Sequence, residues 1–204
     1  MAIAALLIYL VWALLAFGLR SLLQWRRTGD TGWRGTGLRP NTLQWWARLL
    51  FTGALLLGAA GPITDLAGLP LIEALEHPAA RVTGLVVAVL GVLATLAAQT
   101  SMDASWRIGV DEHERTTLVT SGPFALARNP IFTAMIATAL GLAAMVPNPV
   151  SLFALALTVL AIELQVRAVE EPYLRRLHGT AYTTYAAHVG RFLPTLGRLP
   201  TPPN

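Results

Sequence analysis

The sequence predicts an all-α polytopic membrane protein with about five transmembrane helices and a cytoplasmic helical tail at the C-terminus. Hydrophobic residues make up 54% of the 204 residues and charged residues only 13%, against about 25% charged in an average soluble domain. Residues 2–19, 49–64 and 82–102 form uncharged runs suited to crossing a bilayer. A longer uncharged run, residues 129–162, supplies the rest of the membrane region.

Each run has its own features. Residues 2–19 have no basic residue before them and exceed the apolar core of a typical signal peptide, so we expect a first span. The second run is short, and Trp45 and Trp46 extend it into the interface. As one helix, residues 129–162 would be about 50 Å long, beyond a hydrocarbon core of roughly 30 Å. The Pro-Asn-Pro triplet at 147–149 therefore predicts two antiparallel helices joined by a tight turn.

The arginines predict the topology. The chain has 15 basic residues, all arginine, and all but Arg81 lie in residues 20–48, 102–129 and 167–204. The positive-inside rule puts these three segments in the cytoplasm and the N-terminus outside. Arginines flanking apolar spans bind anionic headgroups, so the net charge of +4 does not indicate a nucleic-acid partner. We expect an integral protein of a bacterial plasma membrane, with a short interfacial helix at 69–75 on the outer side.

Two classes of site are not expected. The chain has no cysteine, and its four histidines show no H-E-x-x-H spacing, so we expect neither a disulfide nor a metal site. The Gly-Thr-Gly at 35–37 follows no predicted strand and lacks the third glycine of a dinucleotide fingerprint. We expect a mobile interfacial loop at this position, which can act as a lid on a lipid site.

Asn129 and Pro130 mark the start of the fourth span. Asn is favoured as an N-cap and Pro at the first helical position, so one interpretation is that they only start the helix. The same helix start presents free N–H groups and a partial positive charge, which suit the carboxylate of an amino-acid-like ligand. Arg128 adds a full positive charge there, or it anchors the helix at the bilayer surface.

The helix leaving the membrane after residue 162 carries acids. Glu163, Arg167 and Glu170 are spaced by four and three residues, which puts them on one helix face, with Glu171 close by. Glu163 and Arg167 can form an ion pair. Two adjacent carboxylates at a membrane exit suggest a bound cation, such as an ammonium or a sulfonium, because ionisable groups at membrane depth are functional candidates.

The C-terminal tail contains a second helix. Tyr182 and Tyr185 lie three residues apart on it, as core or interface aromatics or as ligand contacts. Gly179 before them is expected at a helix end or a turn. The stretch 191–194 (Arg-Phe-Leu-Pro) is expected to end this helix and to fold the tail back beneath the spans.

These motifs together resemble a family. The order G-P-F-x-x-x-R-N-P-x-F at 122–132, an apolar hairpin, R-x-x-E-E-x-x-L at 167–174, G-x-x-Y-x-x-Y at 179–185 and V-x-R-x-x-P at 189–194 is similar to that of the isoprenylcysteine carboxyl methyltransferase and phospholipid methyltransferase superfamily. The resemblance covers residues 116–194. It implies an integral membrane enzyme that encloses S-adenosylmethionine between its membrane helices and its C-terminal tail.

The resemblance also implies residue roles. The backbone at 116–119 would meet the adenine, Phe124 would flank the adenosyl group, Glu170 would bind the amino group, and Arg167 would lie near the acceptor of a lipid or prenylated substrate. The predicted catalytic residues are Arg128, Arg167 and Glu170. The predicted cofactor-binding residues are Thr116, Thr117, Leu118, Val119, Phe124, Asn129, Pro130, Ile131, Phe132, Glu170, Glu171, Tyr182 and Tyr185. We divide the chain into a three-span region, 1–104, and a methyltransferase core, 105–204.

The chain departs from the family pattern at three positions. The family usually has R-H-P-x-Y, where this chain has Asn129 and Phe132, and Phe124 stands where tyrosine is usual. Asn129 keeps a hydrogen-bonding side chain, so cofactor binding is expected to survive. Proton transfer by a histidine is not available there, which favours an acceptor that is already anionic or neutral.

Two other functions are compatible with the sequence. A sterol-type membrane reductase that uses NADPH resembles this superfamily in its C-terminal part. A non-catalytic membrane protein with a decayed cofactor site would account for the missing histidine and tyrosines.

Overall fold

The protein is a bundle of helices. The computed structural model describes residues 1–34, 39–109 and 117–200, and the predicted loop at 35–37 lies outside them. In the described ranges, β structure is limited to two isolated bridges, Trp33 with Ile108 and Ala127 with Gly190. The helices are α1 (Ala2–Thr28), α2 (Leu43–Leu66), α3 (Pro78–Ser101), α4 (Pro130–Met145), α5 (Pro149–His178) and α6 (Thr180–His188).

Five of these helices correspond to the five predicted spans. α1, α2, α3 and α5 are long and apolar enough to cross a membrane, and α4 is a shorter apolar helix of 16 residues. Large apolar side chains point outwards from them, among them Leu7, Leu56 and Leu90. Such a surface suits lipid rather than water. The predicted all-α, polytopic membrane architecture is confirmed.

The predicted turn between the last two spans is also confirmed. α4 ends at Met145 and α5 begins at Pro149, so residues 146–148 reverse the chain. Asn148 is fully buried, and its Oδ1 accepts a hydrogen bond of 2.8 Å from the backbone N–H of Ser151. Its Nδ2 donates to the carbonyl of Gly61 on α2 at 2.9 Å. Asn148 therefore caps α5 and also ties this turn to α2.

Replacing Asn148 by alanine is expected to destabilise the bundle by about 1–3 kcal/mol, because the helix cap and the tie to Gly61 are both lost. Thermal melting of the purified protein in detergent measures the effect. Asn148→Ser is the matched control, since serine restores the cap without the tie to Gly61. Its melting temperature should lie between those of the wild type and the alanine variant. A wild-type melting temperature for the alanine variant would contradict the assignment.

α3 and α4 form the closest helix pair. A Cβ added to Gly84 would lie 2.7 Å from the carbonyl oxygen of Gly141, and one added to Gly91 would lie 2.7 Å from the backbone nitrogen of Thr138. Backbone therefore meets backbone along this interface. Small residues at such spacing allow membrane helices to approach closely, where dispersion replaces the hydrophobic effect as the main attraction.

Two helices contain a wide π turn. In α1 it covers Leu14–Leu19, and in α5 it covers Gln165–Glu170. The turn in α5 is followed by Pro172, which has no N–H to donate and whose ring crowds the preceding turn of a regular helix. A π turn accommodates one more residue than an α turn and so shifts the side chains that follow it around the helix. This shift determines which acids of α5 face inwards.

The connection between α2 and α3 is less helical than predicted. Instead of an interfacial helix at 69–75, the structure has a single 3₁₀ turn, Glu73–Leu75. The backbone N–H of Ile72 donates to the carbonyl of Pro147 at 2.8 Å, which holds this segment against the turn between α4 and α5. With that contact made, the segment is held to the protein rather than lying as a free helix at the interface.

Candidate active site at the charged end of the bundle

A cavity of about 240 Å³ opens at the end of the bundle that carries Arg48, Arg107 and Arg128. It lies between α1, α2, the end of α3 with the segment after it, the first turn of α4, and α5. Seven of the predicted site residues line it together, namely Phe124, Arg128, Asn129, Pro130, Ile131, Phe132 and Glu170. Residues separated by some forty positions along the chain therefore line the same cavity.

The first turn of α4 faces this cavity. Asn129 is the N-cap residue and Pro130 the first helical residue, as predicted, but within the described chain the Asn129 side chain makes no capping hydrogen bond. Its Nδ2 donates instead to the carbonyl of Arg191 at 3.1 Å. The first N–H groups of a helix have no intrahelical acceptor, and Ile131 and Phe132, which carry two of them, line the cavity. This helix start is therefore open to an anionic group.

Glu170 supplies the acidic wall. It is the last residue of the π turn in α5 and lines the cavity, and its Oε1 accepts a hydrogen bond of 3.0 Å from Nε2 of Gln165. The prediction that Glu170 shares a face with Arg167 is wrong, because the π turn rotates the two residues apart. Arg167 is exposed, is not among the described residues that line the cavity, and pairs with Glu163.

Glu171 occupies a different environment from its neighbour. It is 3% exposed, and its carboxylate lies between Arg128, at 2.7 Å from Nη2 to Oε1, and Arg191, at 2.8 Å from Nε to Oε1 and 2.8 Å from Nη2 to Oε2. The Arg128 guanidinium also donates to the backbone carbonyls of Ala186, Val189 and Gly197. Arg128 and Glu171, predicted as a catalytic and a cofactor-binding residue, are thus engaged with each other and with the tail.

The two predicted tyrosines lie behind the cavity wall. Tyr182 is buried, and the hydroxyl of Tyr185 donates to the carbonyl of Phe124 at 2.5 Å. Burial raises the pKa of each phenol to about 12, with smaller electrostatic contributions from neighbours that include Arg128. Neither phenol can therefore serve as a general base near neutral pH. Tyr185 instead holds Phe124 at the cavity.

Replacing Tyr185 by phenylalanine is expected to weaken ligand binding only a few-fold, because it removes one hydrogen bond behind Phe124. The pH dependence of binding should stay the same from pH 6 to 9, since a phenol with a pKa of about 12 remains protonated throughout. Titration calorimetry across this range measures both quantities. A binding curve that loses a titrating group in the variant would show that the phenol ionises in the site.

The remaining predicted residues, 116–119, lie near the rim of the cavity or outside the described residues. Thr117 is exposed, and its hydroxyl is 3.0 Å from that of Ser105, which lines the cavity. Leu118 and Val119 follow it and are half-buried. Thr116 lies outside the described residues.

Much of the cavity comes from residues that sequence reasoning missed. Phe17 and Phe51 belong to apolar runs, where the sequence predicts lipid-facing side chains. Arg48 is one of the many arginines that predict the topology. Nothing in the sequence therefore marks these three residues as part of a site. Trp106 is buried against the Arg20 guanidinium, 4.9 Å from its ring. The lining residues outside the predicted set are Phe17, Arg48, Phe51, Gln99, Met102, Ser105, Trp106, Arg107, Ile108, Gly109, Met135, Gln165, Tyr173 and Leu174.

Comparison with known families decides what kind of protein carries this cavity. The family model described as phospholipid methyltransferase matches residues 79–181, which is half of the chain. The chain belongs to the phospholipid methyltransferase family. Neither the curated proteins nor the solved structures gave a significant match.

The family assignment agrees with the architecture. The matched segment runs from the start of α3 into α6 and includes the first turn of α4 and the acids of α5. It also crosses residue 104, where we divide the chain, and the cavity draws on both sides of that division. A membrane methyltransferase, the class predicted from the motifs, is therefore what the family indicates.

Proposed function

We propose that this phospholipid methyltransferase family member transfers a methyl group from S-adenosylmethionine to a lipophilic acceptor embedded in the membrane. The acceptor group is an isoprenylcysteine-like carboxylate, a phospholipid amine or a group on another lipid. One observation carries the proposal: a single cavity joins the open first turn of α4 to the carboxylate of Glu170. An anion site and a cation site in one cavity suit the zwitterionic amino-acid end of the donor.

The donor would be held at three places. The N–H groups of Ile131 and Phe132 and the amide of Asn129 would receive its carboxylate, as anions bind at helix starts. Glu170 would accept hydrogen bonds from its ammonium group. Phe124, which Tyr185 holds from behind, would flank the adenosyl group, and the backbone at 117–119 would meet the adenine near the rim.

The acceptor would occupy the apolar part of the cavity. Phe17, Phe51, Phe132 and Met135 form this part, and the rings of Phe51 and Phe132 meet edge to face at 6.1 Å. Such walls bind the hydrocarbon next to the acceptor group and exclude water from it. α1, α2 and α4 supply these side chains, so the acceptor would reach the site from within the bilayer.

The chemistry asks little of the protein beyond alignment. A bound sulfonium supplies an already activated methyl group, so the residues chiefly hold donor and acceptor in line. No histidine is found among the described residues that line the cavity, and Glu170 is assigned to the ammonium group. An acceptor that is anionic or neutral at neutral pH needs no base from these side chains. The arginine distribution supports a cytoplasmic site in a plasma membrane, with the donor arriving from that side.

The test is to incubate the purified protein, in vesicles of total membrane lipid, with S-adenosylmethionine carrying a radiolabelled methyl group. Separation of the lipids should show label in a discrete species, and protein inactivated by heat is the control. Oxidation of NADPH on addition of a sterol, without label transfer, would instead support a membrane reductase. Donor binding without transfer would support the non-catalytic alternative, and failure to bind the donor would refute the proposed site.

A further inference from the structure

The two adjacent acids of α5 face different surroundings. Glu170 faces the cavity, whereas Glu171 is buried between the guanidinium groups of Arg128 and Arg191, with that of the more exposed Arg175 at 3.9 Å. Successive residues of a helix point about 100° apart, so one carboxylate can line the cavity while the next is directed into the protein. The pair therefore contains two separate sites rather than one doubled acid.

The residues around Glu171 contact the C-terminal tail, residues 189–199. Arg128 donates to the carbonyls of Val189 at 2.6 Å and Gly197 at 3.0 Å, and to that of Ala186 on α6 at 3.1 Å. Arg191, itself a tail residue, holds both carboxylate oxygens of Glu171. Without Glu171, two buried or half-buried cations would face each other with no anion between them, which is strongly unfavourable.

The tail in turn contacts the start of α4. The carbonyl of Gly190 accepts from the N–H of Arg128 at 2.9 Å, and the carbonyl of Arg191 accepts from the N–H and the side-chain Nδ2 of Asn129, each at 3.1 Å. The carbonyl of Phe192 accepts from Oγ1 of Thr133 at 2.8 Å. The position of the α4 first turn is thus tied to a tail that Glu171 holds in place.

We propose that Glu171, Arg128 and Arg191 form a latch that fastens the tail to the first turn of α4. Through this latch Glu171 is a positioning residue for the carboxylate end of the donor site and does not contact the donor. The inference rests on the proposed function, in which the first turn of α4 holds the donor carboxylate and Glu170 holds its amino group.

Donor analogues separate the two acids. S-adenosylmethionine is compared by calorimetry with its decarboxylated form and with its des-amino form. Glu171→Gln should lower the affinity for S-adenosylmethionine about tenfold while leaving that for the decarboxylated form nearly unchanged. Glu170→Gln should lower the affinity for the decarboxylated form as well. It should also bind S-adenosylmethionine no more tightly than the des-amino form. If Glu171→Gln instead loses the amino-group preference, Glu171 contacts the donor and the latch assignment is overturned.

Arg191→Gln provides a second variant, because Arg191 is more exposed than the other two residues and its loss leaves Arg128 paired with Glu171. It should reproduce the analogue pattern of Glu171→Gln. The loss of affinity in the double variant should be no larger than the larger of the two single losses, since both substitutions act through the same tail. Additive losses would overturn the proposal, and if Glu171→Gln does not fold, the Arg191→Gln pattern alone decides it.

A spectroscopic arm tests the latch without any nucleotide. The chain has no cysteine, so Leu196→Cys, at a tail position that is 62% exposed, carries a single nitroxide label. Glu171→Gln and Arg191→Gln should each convert the label from an ordered to a mobile spectrum, and Glu170→Gln should not. An unchanged spectrum in both latch variants would overturn the proposal. If no form of the protein binds the nucleotides, the proposed function fails, and this arm still decides the latch.

Discussion

Replacing Glu170 by glutamine is expected to lower the affinity for S-adenosylmethionine about 10- to 100-fold. Glu170 is the one acid among the described residues that line the cavity, and a hydrogen bond between charged groups contributes roughly 1.5–3 kcal/mol. Glutamine keeps the size and one oxygen but loses the charge that holds an ammonium group. Titration calorimetry on protein in nanodiscs measures the change directly.

Glu163→Gln is the matched control for this experiment. Glu163 lies on the same helix, pairs with the exposed Arg167 and is not among the described residues that line the cavity, so its neutralisation should leave donor affinity within about two-fold of wild type. Equal losses in the two variants would indicate a general effect on α5. A wild-type affinity of Glu170→Gln for S-adenosylmethionine would show that Glu170 does not bind the donor.

Replacing Gly141 by alanine is expected to destabilise the bundle by about 1–3 kcal/mol. The added Cβ would lie 2.8 Å from the Cα of Ala88 and closer still to the backbone nitrogen of that residue and the carbonyl of Gly84. All three atoms are backbone, so α3 and α4 must separate. Because α4 also carries the first turn of the cavity wall, donor affinity should fall with stability. Thermal melting and calorimetry measure the two effects.

Gly53→Ala on α2 separates this effect from a change in helix propensity. A Cβ there meets its nearest neighbour, a methyl of Leu157, at 4.0 Å, an ordinary contact. Alanine should be neutral or slightly stabilising at that position, since glycine inside a helix costs about 0.5–1 kcal/mol relative to alanine. A Gly141→Ala variant as stable as Gly53→Ala would show that α3 and α4 are less tightly packed than described.

The membrane architecture could be predicted from the sequence because its causes are local. A long run without charge must either cross the bilayer or be buried, and a Pro-Asn-Pro triplet in the middle of such a run must turn the chain. Residues 129–162 contain both features, and the structure has α4, the turn and α5 in the predicted places. The side chain of Asn148, which ties the turn to α2, carries no such local signal.

The cavity was only half predictable. The motif residues between Phe124 and Phe132 and the acid Glu170 do meet, as the resemblance implied. The wall from the N-terminal half depends on which side of α1 and α2 faces inwards, and uniform apolar runs do not encode that side. Phe17 and Phe51 have the composition of any lipid-facing residue, so only the packed bundle identifies them.

The roles of the charged residues differed most from the sequence-based expectation. Spacing by three and four residues predicts a shared face only in a regular α-helix, and the π turn at Gln165–Glu170 breaks that rule for Arg167 and Glu170. Arg128 and Glu171 were assigned to ligands because charge near a membrane is costly. In the structure they offset each other's charge, which removes the need for a ligand to do so.

The wide turn of α5 also has a consequence for how the chain tolerates changes in length. Deleting one residue within 165–170 would convert this turn into an ordinary α turn, because a π turn contains one residue more. The helix on either side would keep its direction, so Glu171 would still face Arg128. The side chains inside the turn would be redirected, so a shortened α5 would keep the contacts of its tail and change which side chains reach the cavity.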